Sequence, residues 1–476
     1  MTPPSENASR LLPTSRDVDH EVCGVIVLRR SGTELLTVLR ESGMKLPAIV
    51  IPRYQRLAES VNQEVQVQLG ITAYCLFSID IPAIDVGLCL YQVMEIRDEN
   101  QPTPQQFMWT LIGQLDEAAI SEEEFSATSS AMRELHSYAS GLAVGPFGRP
   151  GWIEELTWWI EREIGHLGLR LSGGIRQFNA SPTFALLRFE TNGPAVWFKA
   201  VGKPNLREFP ITVALSRMLP AFVPTLIAAH PSLHGWLTME CAGLTLSEVD
   251  GTRAWVQTAE TLAELQIQSI RVTDKLLEAG CTDLRVVRLM EQVDPFMEVM
   301  AKVMNRQEKS SPRVLEGDEL LRLGIHIKQA AFEWTLLNVP DTLGHLDLNP
   351  GNIVIKGESC VFLDWAESFV GPPFLTFQYL CAHHRRTSSQ SDASERRLAE
   401  HYARRWKAVI SPEAIAEGQA LAGLLAPFTY AVGTGMWREI GDDPVSKSAA
   451  FFRSLTRRMY SESQMLRQRR HTCSRS

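Results

Sequence analysis

The sequence has no Cys-x-x-Cys pair, although it contains eight cysteines. They are scattered, and most stand in apolar runs, as Cys360 does in "SCVFLD", so buried free thiols are expected. A leader with a charged and then an apolar segment is also absent, so export is not expected. The longest uncharged stretch, residues 418–437, includes Pro427 and four glycines, which favours a buried helix over a membrane span. Together these features predict a protein of the reducing cytoplasm, without a membrane partner.

An excess of positive charge is lacking as well. The formal net charge is −8, so a nucleic acid is not expected as a partner of the whole molecule. The C-terminal segment is the exception, because its arginines face only Glu462. They are Arg453, Arg457, Arg458, Arg467, Arg469, Arg470 and Arg475. We predict a basic tail over residues 461–476 that is a solvated, frayed terminus more often than a surface for anionic partners.

The order of strand-like and helical patterns predicts several domains in this chain. Residues 1–19 are rich in Pro, Ser and Asn and are expected to be disordered. Residues 20–145 read as a small α/β domain that ends in the Gly- and Pro-rich stretch 141–151. A β-rich lobe over residues 152–243 and a helical lobe over residues 244–460 follow, which gives an α+β chain with a bilobal second part.

The stretch "HLDLNPGNIVIKGESCVFLDW", residues 345–365, places polar residues among buried-strand patterns. Pro350-Gly351 turns the backbone between Asp347 and Asn352, so a loop can aim both side chains into one cleft. Two short strands, 352–356 and 360–363, read as a hairpin that returns Asp364 alongside Asn352. Phosphoryl transfer with magnesium requires such a set: a carboxylate near the attacking hydroxyl and oxygen ligands for the metal.

A structural explanation of the same residues is that Asp347 and Asn349 form turns and Asp364 caps the next segment. That explanation suffices for one aspartate. It fits less well a His-x-Asp-x4-Asn pattern followed, twelve residues after the asparagine, by an aspartate that ends an apolar strand.

This pattern resembles the catalytic signature of the aminoglycoside phosphotransferase and choline kinase-like superfamily, over roughly residues 152–460. The resemblance implies a bilobal protein kinase-like fold and transfer of the γ-phosphate of ATP or GTP to a hydroxyl of a small-molecule acceptor. It implies Asp347 as catalytic base, His345 as a buttress of the loop, and Asn352 and Asp364 as Mg²⁺ ligands.

The resemblance extends upstream into the β-rich lobe. It implies that Lys199, in "AVWFKAVG", contacts the nucleotide phosphates, and that Glu208, near a helix start, pairs with it. The segment "HGWLTMECAG" resembles the linker between lobes that holds the adenine through backbone groups, which places Glu240 and Cys241 at the nucleotide. Without the downstream motif, Lys199 would be a solvated strand end and Glu208 a surface charge of a helix.

Three residues depart from the family pattern. Leu346 stands where the family usually has glycine, Asn349 where it often has histidine, and Thr376 where an aspartate normally braces the catalytic loop. The segment expected to cover the phosphates, "RQFNASPTFALL", has no glycine. These departures favour the alternative of a non-catalytic nucleotide-binding or scaffolding pseudokinase, while the retained Lys199 and Asp347 oppose it.

Within residues 20–145, the stretch "LPAIVIPRYQRLAESVNQEVQVQLGI", residues 46–71, resembles a Nudix box, a strand-loop-helix unit that binds a metal through clustered glutamates. Here Glu64 is kept, but Val67 and Gln68 stand where the other two helix glutamates would be. The resemblance therefore implies a catalytically inactive Nudix-like domain, which serves substrate binding, a protein partner or regulation. The alternatives are an active Nudix hydrolase and a different α/β fold.

Overall fold

The computed structural model describes residues 20–29, 32–40, 43–53, 56–83, 87–96, 98–115, 120–143, 145–387, 392–440 and 447–473. The expected disordered segment 1–19 lies outside these residues. The chain forms two compact units. The first, here called the β unit, comprises residues 20–209 and 225–240. The second, here called the helical unit, comprises residues 210–224 and 241–473.

The N-terminal part of the β unit contains one mixed sheet with β1 at its centre. Its strands are β1 (His20–Arg29), β2 (Glu34–Arg40), β3 (Gly43–Lys45), β4 (Ala48–Pro52), β5 (Ala73–Ala83), β6 (Gly87–Ile96) and β7 (Phe107–Leu111). β1 runs antiparallel to β2 and β4 and parallel to β6, and β5 lies at an edge.

Two helices accompany this sheet. The first is α1 (Leu57–Glu64), which continues as a π-helix, Val65–Leu69, and ends at Gly70 in the left-handed conformation. α2 (Glu122–Ala139) begins as its sequence predicts, because Ser121 and Glu124 form a capping box. β4 and α1 follow each other as strand, loop and helix, as expected for a Nudix-like domain, and that identity stays a prediction.

The remainder of the β unit is α3 (Trp152–Gly165) followed by a second sheet. Its strands are β8 (Leu171–Ser181), β9 (Phe184–Thr191), β10 (Val196–Val201), β11 (Leu226–His230) and β12 (Gly235–Met239), in the order β11-β12-β10-β9-β8. The alternation of half-buried and buried residues along β9 is that of a strand with one face on a core. β9 and β10, on either side of Asn192-Gly193, pair antiparallel.

One hydrophobic core serves both sheets of the β unit. It joins Ile26 and Leu76 of the first sheet to Leu187 and Phe198 of the second. The Gly- and Pro-rich stretch 141–151 is therefore not a break in packing, in contrast to the separate domains expected on either side of it. Composition marks the turn of the chain there but carries no information about which apolar faces meet.

Polar contacts reinforce this core through Gln177, a buried residue of β8. Its Nε2 donates to the carbonyl of Cys75 at 2.8 Å, and its Oε1 accepts from the N–H of Cys75 at 2.9 Å. The same Oε1 accepts from Asn62 Nδ2 of α1 at 3.0 Å. The Gln177 amide thus acts as one further rung on the edge strand β5 and satisfies backbone groups that would otherwise be buried without partners.

The helical unit is built mainly of helices. α4 (Glu208–Met218) spans the division between the units, and the other helices are α5 (Thr252–Ser269), α6 (Thr273–Glu278), α7 (Val286–Asn305), α8 (Gly317–Leu336), α9 (Pro373–Thr387), α10 (Asp392–Trp406), α11 (Pro412–Gly433) and α12 (Lys447–Cys473). Two three-stranded sheets lie among them. They contain β13 (Leu244–Thr245), β16 (Ile353–Lys356) and β17 (Ser359–Phe362), and β14 (Thr282–Asp283), β15 (Thr342–His345) and β18 (Ser368–Gly371).

Two expectations concern long segments of this unit. Most of the uncharged run 418–437 lies in α11, with Pro427 buried inside the helix, so the prediction of a buried helix is confirmed. The described helices include none that is long and apolar enough to span a membrane. The expected tail is different: α12 continues to Cys473, and Arg470 forms ion pairs with Glu333 and Glu417. These pairs hold residues 461–473 in the unit, so the frayed terminus predicted from charge alone is wrong for them.

The buried position of Gln177 generates a stability prediction. Gln177→Leu leaves both backbone groups of Cys75 unpaired, at about 1–3 kcal/mol for each buried group. We expect the thermal midpoint of unfolding to fall by roughly 4–8 °C for a loss of about 2 kcal/mol. Gln101 is the matched control, because its amide pairs in the same way with the backbone of Thr72 at an exposed site. Gln101→Leu should cost far less, and equal losses in the two variants would contradict the assignment.

Candidate active site

The hairpin of β16 and β17 positions the metal-ligand candidates in the helical unit. Ile353 pairs with Phe362, and the N–H of Leu363 donates to the carbonyl of Asn352 at 2.8 Å. The predicted hairpin is therefore confirmed, and Asp364 follows directly after the last rung beside Asn352. The Asn352 side chain is half-buried, whereas the Asp364 side chain is exposed.

The loop before this hairpin orients Asp347. Asn349 Nδ2 donates to Asp347 Oδ1 at 3.1 Å, and Asn352 Nδ2 donates to Asp347 Oδ2 at 3.3 Å and to its carbonyl at 3.0 Å. Asn349 Oδ1 in turn accepts from the N–H of Gly351 at 2.9 Å, which fixes the turn. An ionised carboxylate has about four lone-pair sites, so these two amides hold Asp347 and leave it capacity for another donor.

His345 supports the loop from inside the unit, where it is 1% exposed. Its Nδ1 accepts from the backbone N–H of Asp347 at 3.1 Å, so this nitrogen carries no proton. Its Nε2 lies 3.1 Å from the carbonyl of Leu363 and therefore donates to it. The ring also packs on Trp365, with 5.0 Å between the ring centroids. The imidazole is thus neutral and joins the Asp347 loop to the strand end before Asp364.

The backbone at Asp364 is strained. It has φ +60° and is one of three non-glycine residues with positive φ among those described. Such a conformation costs about 1–3 kcal/mol and persists where its surroundings enforce it, which is a recurrent property of functional sites. Aspartate tolerates this region better than most residues, and the strain is consistent with a functional role of the side chain.

The structure explains two of the departures from the family pattern. The hydroxyl of Thr376, a buried residue of α9, accepts from the backbone N–H of His345 at 3.0 Å, so it braces the loop where the family has an aspartate. Leu346 is 4% exposed and packs against Gly433, where an added Cβ would lie 2.4 Å from Leu346 Cδ1. A glycine in α11 thus accommodates a leucine in the loop. Sequence reasoning missed both arrangements, because each partner is distant in the chain.

Electrostatic effects identify two residues near Asp347 that the motif did not indicate. Burial lowers the pKa of His383, with Arg386 adding to the effect and Asp347 opposing it. Burial also raises the pKa of Tyr430 to about 12, and the charges of Glu367 and Asp347 add to that rise. Both side chains are half-buried on helices, α9 and α11, whose sequences contain no recognisable motif.

In the β unit, Lys199 and Glu208 form the expected pair. Lys199 lies on β10 and Glu208 is the first residue of α4, and Lys199 Nζ is 2.5 Å from Glu208 Oε1. The carboxylate is buried and the ammonium side chain is 14% exposed. Lys199 Nζ also lies over the rings of Phe184 and Trp236 at 5.5 and 5.7 Å. The ammonium group is held in one place with little freedom.

Glu240 follows β12, and its side chain is committed to the protein. Arg188 donates to both carboxylate oxygens, at 2.6 and 3.1 Å, and Trp197 Nε1 donates at 3.2 Å. The hydrogen bonds from Arg188 hold the pKa of Glu240 below its usual value. The backbone N–H of Glu240 donates to Ala195 at 2.9 Å and so cannot donate to a ligand. Cys241, the other predicted nucleotide contact, is a half-buried free thiol.

No group of three or more His, Cys, Asp or Glu side chains suited to a metal occurs in the described parts of the chain. A closed, all-protein metal cage is therefore not found there. Asn352 and Asp364 do not form such a cage, and they offer only a small set of oxygen ligands.

Residues 206–417 match the family described as "Phosphotransferase enzyme family". The matched range includes Glu208, His345, Asp347, Asn352 and Asp364, and it begins after Lys199. The match supports a phosphotransferase as the class of this region. It does not extend to the N-terminal sheet, and a search of curated proteins found no match to the chain.

Solved structures of kinases and phosphotransferases resemble the chain at low sequence identity. A choline kinase from Cryptosporidium parvum Iowa II is 12% identical, with 67% of this chain and 96% of that chain covered and a TM-score of 0.44. A choline/ethanolamine kinase family protein from Mesorhizobium loti is 15% identical, with 62% and 88% covered and a TM-score of 0.41. A macrolide 2'-phosphotransferase from Brachybacterium faecium is 15% identical, with 62% and 98% covered and a TM-score of 0.38.

The brace between Thr376 and His345 generates the second prediction. Thr376→Val keeps the shape of the side chain but leaves the buried N–H of His345 without its acceptor, at about 1–3 kcal/mol. Urea denaturation should show this loss in the free energy of unfolding. Thr376→Ser is the control, since it keeps the hydroxyl and loses one methyl group. A valine variant as stable as the serine variant would show that the hydroxyl does not brace the loop.

Proposed function

We propose that the protein is a Mg²⁺-dependent small-molecule kinase that transfers the γ-phosphate of ATP or GTP to a hydroxyl of a small acceptor. The observation that carries the proposal is the Asp347 carboxylate, held by two asparagine amides on a loop that His345 and Thr376 brace. Positioning and charge neutralisation supply most of the rate enhancement in this chemistry, so a preorganised carboxylate is the feature that it needs most.

In this proposal Asp347 is the general base. It orients the acceptor hydroxyl and takes its proton as the oxygen attacks the γ-phosphorus. The two amides fix the carboxylate plane and leave lone pairs for the acceptor. His383 and Tyr430 lie close enough to Asp347 for its charge to act on their pKa values, so we propose them as candidates for contact with the acceptor.

The residues at the end of the hairpin fit Mg²⁺. Asn352 Nδ2 donates to two oxygens of Asp347, so Asn352 Oδ1 points away from them and keeps its ligand capacity. An amide oxygen and the Asp364 carboxylate are ligands of the kind that Mg²⁺ takes when substrate phosphates and water complete its shell. Bound there, the ion would neutralise charge on the transferred phosphate.

Lys199 would hold the nucleotide phosphates, with Glu208 fixing its ammonium group. For the adenine, the carbonyl of Glu240 is the group left, because its N–H is already used, and Cys241 would contribute backbone groups. The six cysteines whose side chains are described are free thiols, which supports a cytoplasmic location.

For the N-terminal sheet we propose support of the β-rich lobe. Gln177 ties β8 to β5 and α1, and Phe147 N–H donates to the Pro182 carbonyl at 3.3 Å in the turn expected to cover the phosphates. A Nudix-like hydrolase is disfavoured, because Glu64 accepts a hydrogen bond from Gln68 at 2.7 Å where a second carboxylate would be needed. The N-terminal sheet could bind a protein partner and support the β-rich lobe at the same time.

The second candidate is a pseudokinase that binds nucleotide without turnover. The turn between β8 and β9 favours it, because this turn has no glycine and accepts a hydrogen bond from the N–H of Phe147 at the carbonyl of Pro182. Thermal denaturation with ATP and Mg²⁺ separates the two. Nucleotide at a hundred times its Kd stabilises the folded state by about 2.7 kcal/mol. A shift without nucleotide consumption across a library of hydroxyl metabolites would favour the pseudokinase, and consumption with one of them would favour the kinase.

The third prediction concerns the base. Asp347→Asn keeps one side-chain oxygen to accept from Asn349, and its carbonyl still accepts from Asn352, but it cannot take a proton. Turnover should therefore fall by about 10²–10⁴ while nucleotide binding persists. Steady-state kinetics and calorimetry measure the two effects. Glu358→Gln, in the exposed turn of the hairpin, is the control and should change neither. Turnover of the Asp347 variant within a few-fold of wild type would remove Asp347 from this role.

The fourth prediction concerns the metal. Asp364→Asn preserves tolerance of the left-handed backbone, which alanine would not, and removes only the charge. We expect ATP affinity in the presence of Mg²⁺ to fall by about 10–100-fold. Affinity in EDTA should stay unchanged, because the protein contacts of the nucleotide are kept. An unaltered magnesium dependence would show that Asp364 is not a ligand.

A further inference from the structure

A cavity of about 290 Å³ lies in the helical unit among α9, α10, α11 and α12. Several polar and charged side chains line the cavity. They include Gln378, Arg385, Gln419, Arg458, Glu462 and Arg469. None of these residues belongs to the Asp347 loop or to the hairpin that follows it.

Arg458 is the central feature of the cavity. Its side chain is half-buried, and no ion pair or hydrogen bond joins its guanidinium to the parts of the chain that the structure describes. Burial lowers the pKa of Arg458, Glu462 acts against that effect, and Arg385 and Arg386 add to it. A charged group removed from water without a partner is destabilising, so this guanidinium would gain much from an anion.

A second donor faces the same space without a partner. Gln419 Nε2 is buried and, among the described residues, has no hydrogen-bond acceptor. Unsatisfied buried amides are uncommon in folded proteins, and each one requires a partner such as a water or an ion. The amide N–H and the guanidinium, both without a partner in this cavity, therefore both require a hydrogen-bond acceptor with several lone pairs.

The lining has more positive than negative side chains, since it contains three arginines and two glutamates. Arg385 is compensated by Glu395, with 2.9 Å between Nη1 and Oε1. The volume is at the lower end of the range of small-molecule sites, about 300–1,000 Å³, so a nucleotide is too large and a small oxyanion group fits.

We propose that this cavity binds a small oxyanion, a phosphate or carboxylate group, through Arg458 and Gln419. The site is separate from the proposed catalytic residues and does not depend on the activity proposed for them. The guanidinium supplies a planar pair of donors for two oxygens of the anion, and the amide of Gln419 supplies a third N–H.

Calorimetry on the full chain tests the proposal with inorganic phosphate and with acetate as probes, at constant ionic strength set by chloride. Saturable binding of either probe is expected, and the ratio of the two Kd values tells which anion class the site takes. Arg458→Met should weaken that binding at least tenfold, which corresponds to about 1.4 kcal/mol. Arg467→Met is the matched control, on the same helix but exposed and outside the cavity, and should bind as wild type does.

Two further measurements separate this site from the nucleotide site and from a structural role. Binding should persist in Lys199→Ala, since that variant alters the proposed phosphate contacts of the nucleotide and the pair with Glu208 and leaves the lining of the cavity unchanged. In buffer without phosphate or carboxylate, here called anion-free, Arg458→Met should melt at or above the wild-type temperature. The reason is that the substitution removes an uncompensated charge. The proposal is overturned if neither probe binds, if Arg458→Met binds as wild type does, if Lys199→Ala abolishes binding, or if Arg458→Met melts lower in anion-free buffer.

Discussion

One buried imidazole holds the candidate catalytic loop in place. His345 accepts from the backbone of Asp347 with one ring nitrogen and donates to the carbonyl of Leu363 with the other. Only one neutral tautomer satisfies both bonds, and protonation would remove the acceptor. The loop that carries Asp347 and the strand end that leads to Asp364 are therefore coupled through a single ring, and neither can shift without leaving a buried polar group unpaired.

This coupling explains why the chain tolerates departures from the family pattern. Thr376 supplies an acceptor to the N–H of His345 through a hydroxyl, so the bracing function survives without the charge of an aspartate. The leucine at 346 is accommodated by the glycine at 433, on a helix nearly ninety residues further along the chain. Thr376 and Gly433 thus compensate for these two departures, and hydrogen bonds and packing maintain the geometry around Asp347.

The sequence predicted those features that neighbouring residues determine. The hairpin after Asn352 follows from a short-range pattern, and the family resemblance implied the pairing of Lys199 with Glu208. It could not predict Gln177 on the edge strand β5, because its partner Cys75 is 102 residues away. The helical C-terminus escaped prediction for a similar reason: the glutamates that pair with Arg470 lie on other helices.

Arg458 differs from the other buried charges in a way that bears on its role. Glu208 is buried with a lysine against it, and Arg385 at the cavity rim has its own glutamate. In both of these pairs an opposite charge compensates the ionised group. A guanidinium without an ion pair in the described chain is retained more readily when it contacts something outside the chain, since a methionine of similar length would fill the same space at less cost. The contrast between Arg458 and its compensated neighbours therefore favours a ligand over a packing role.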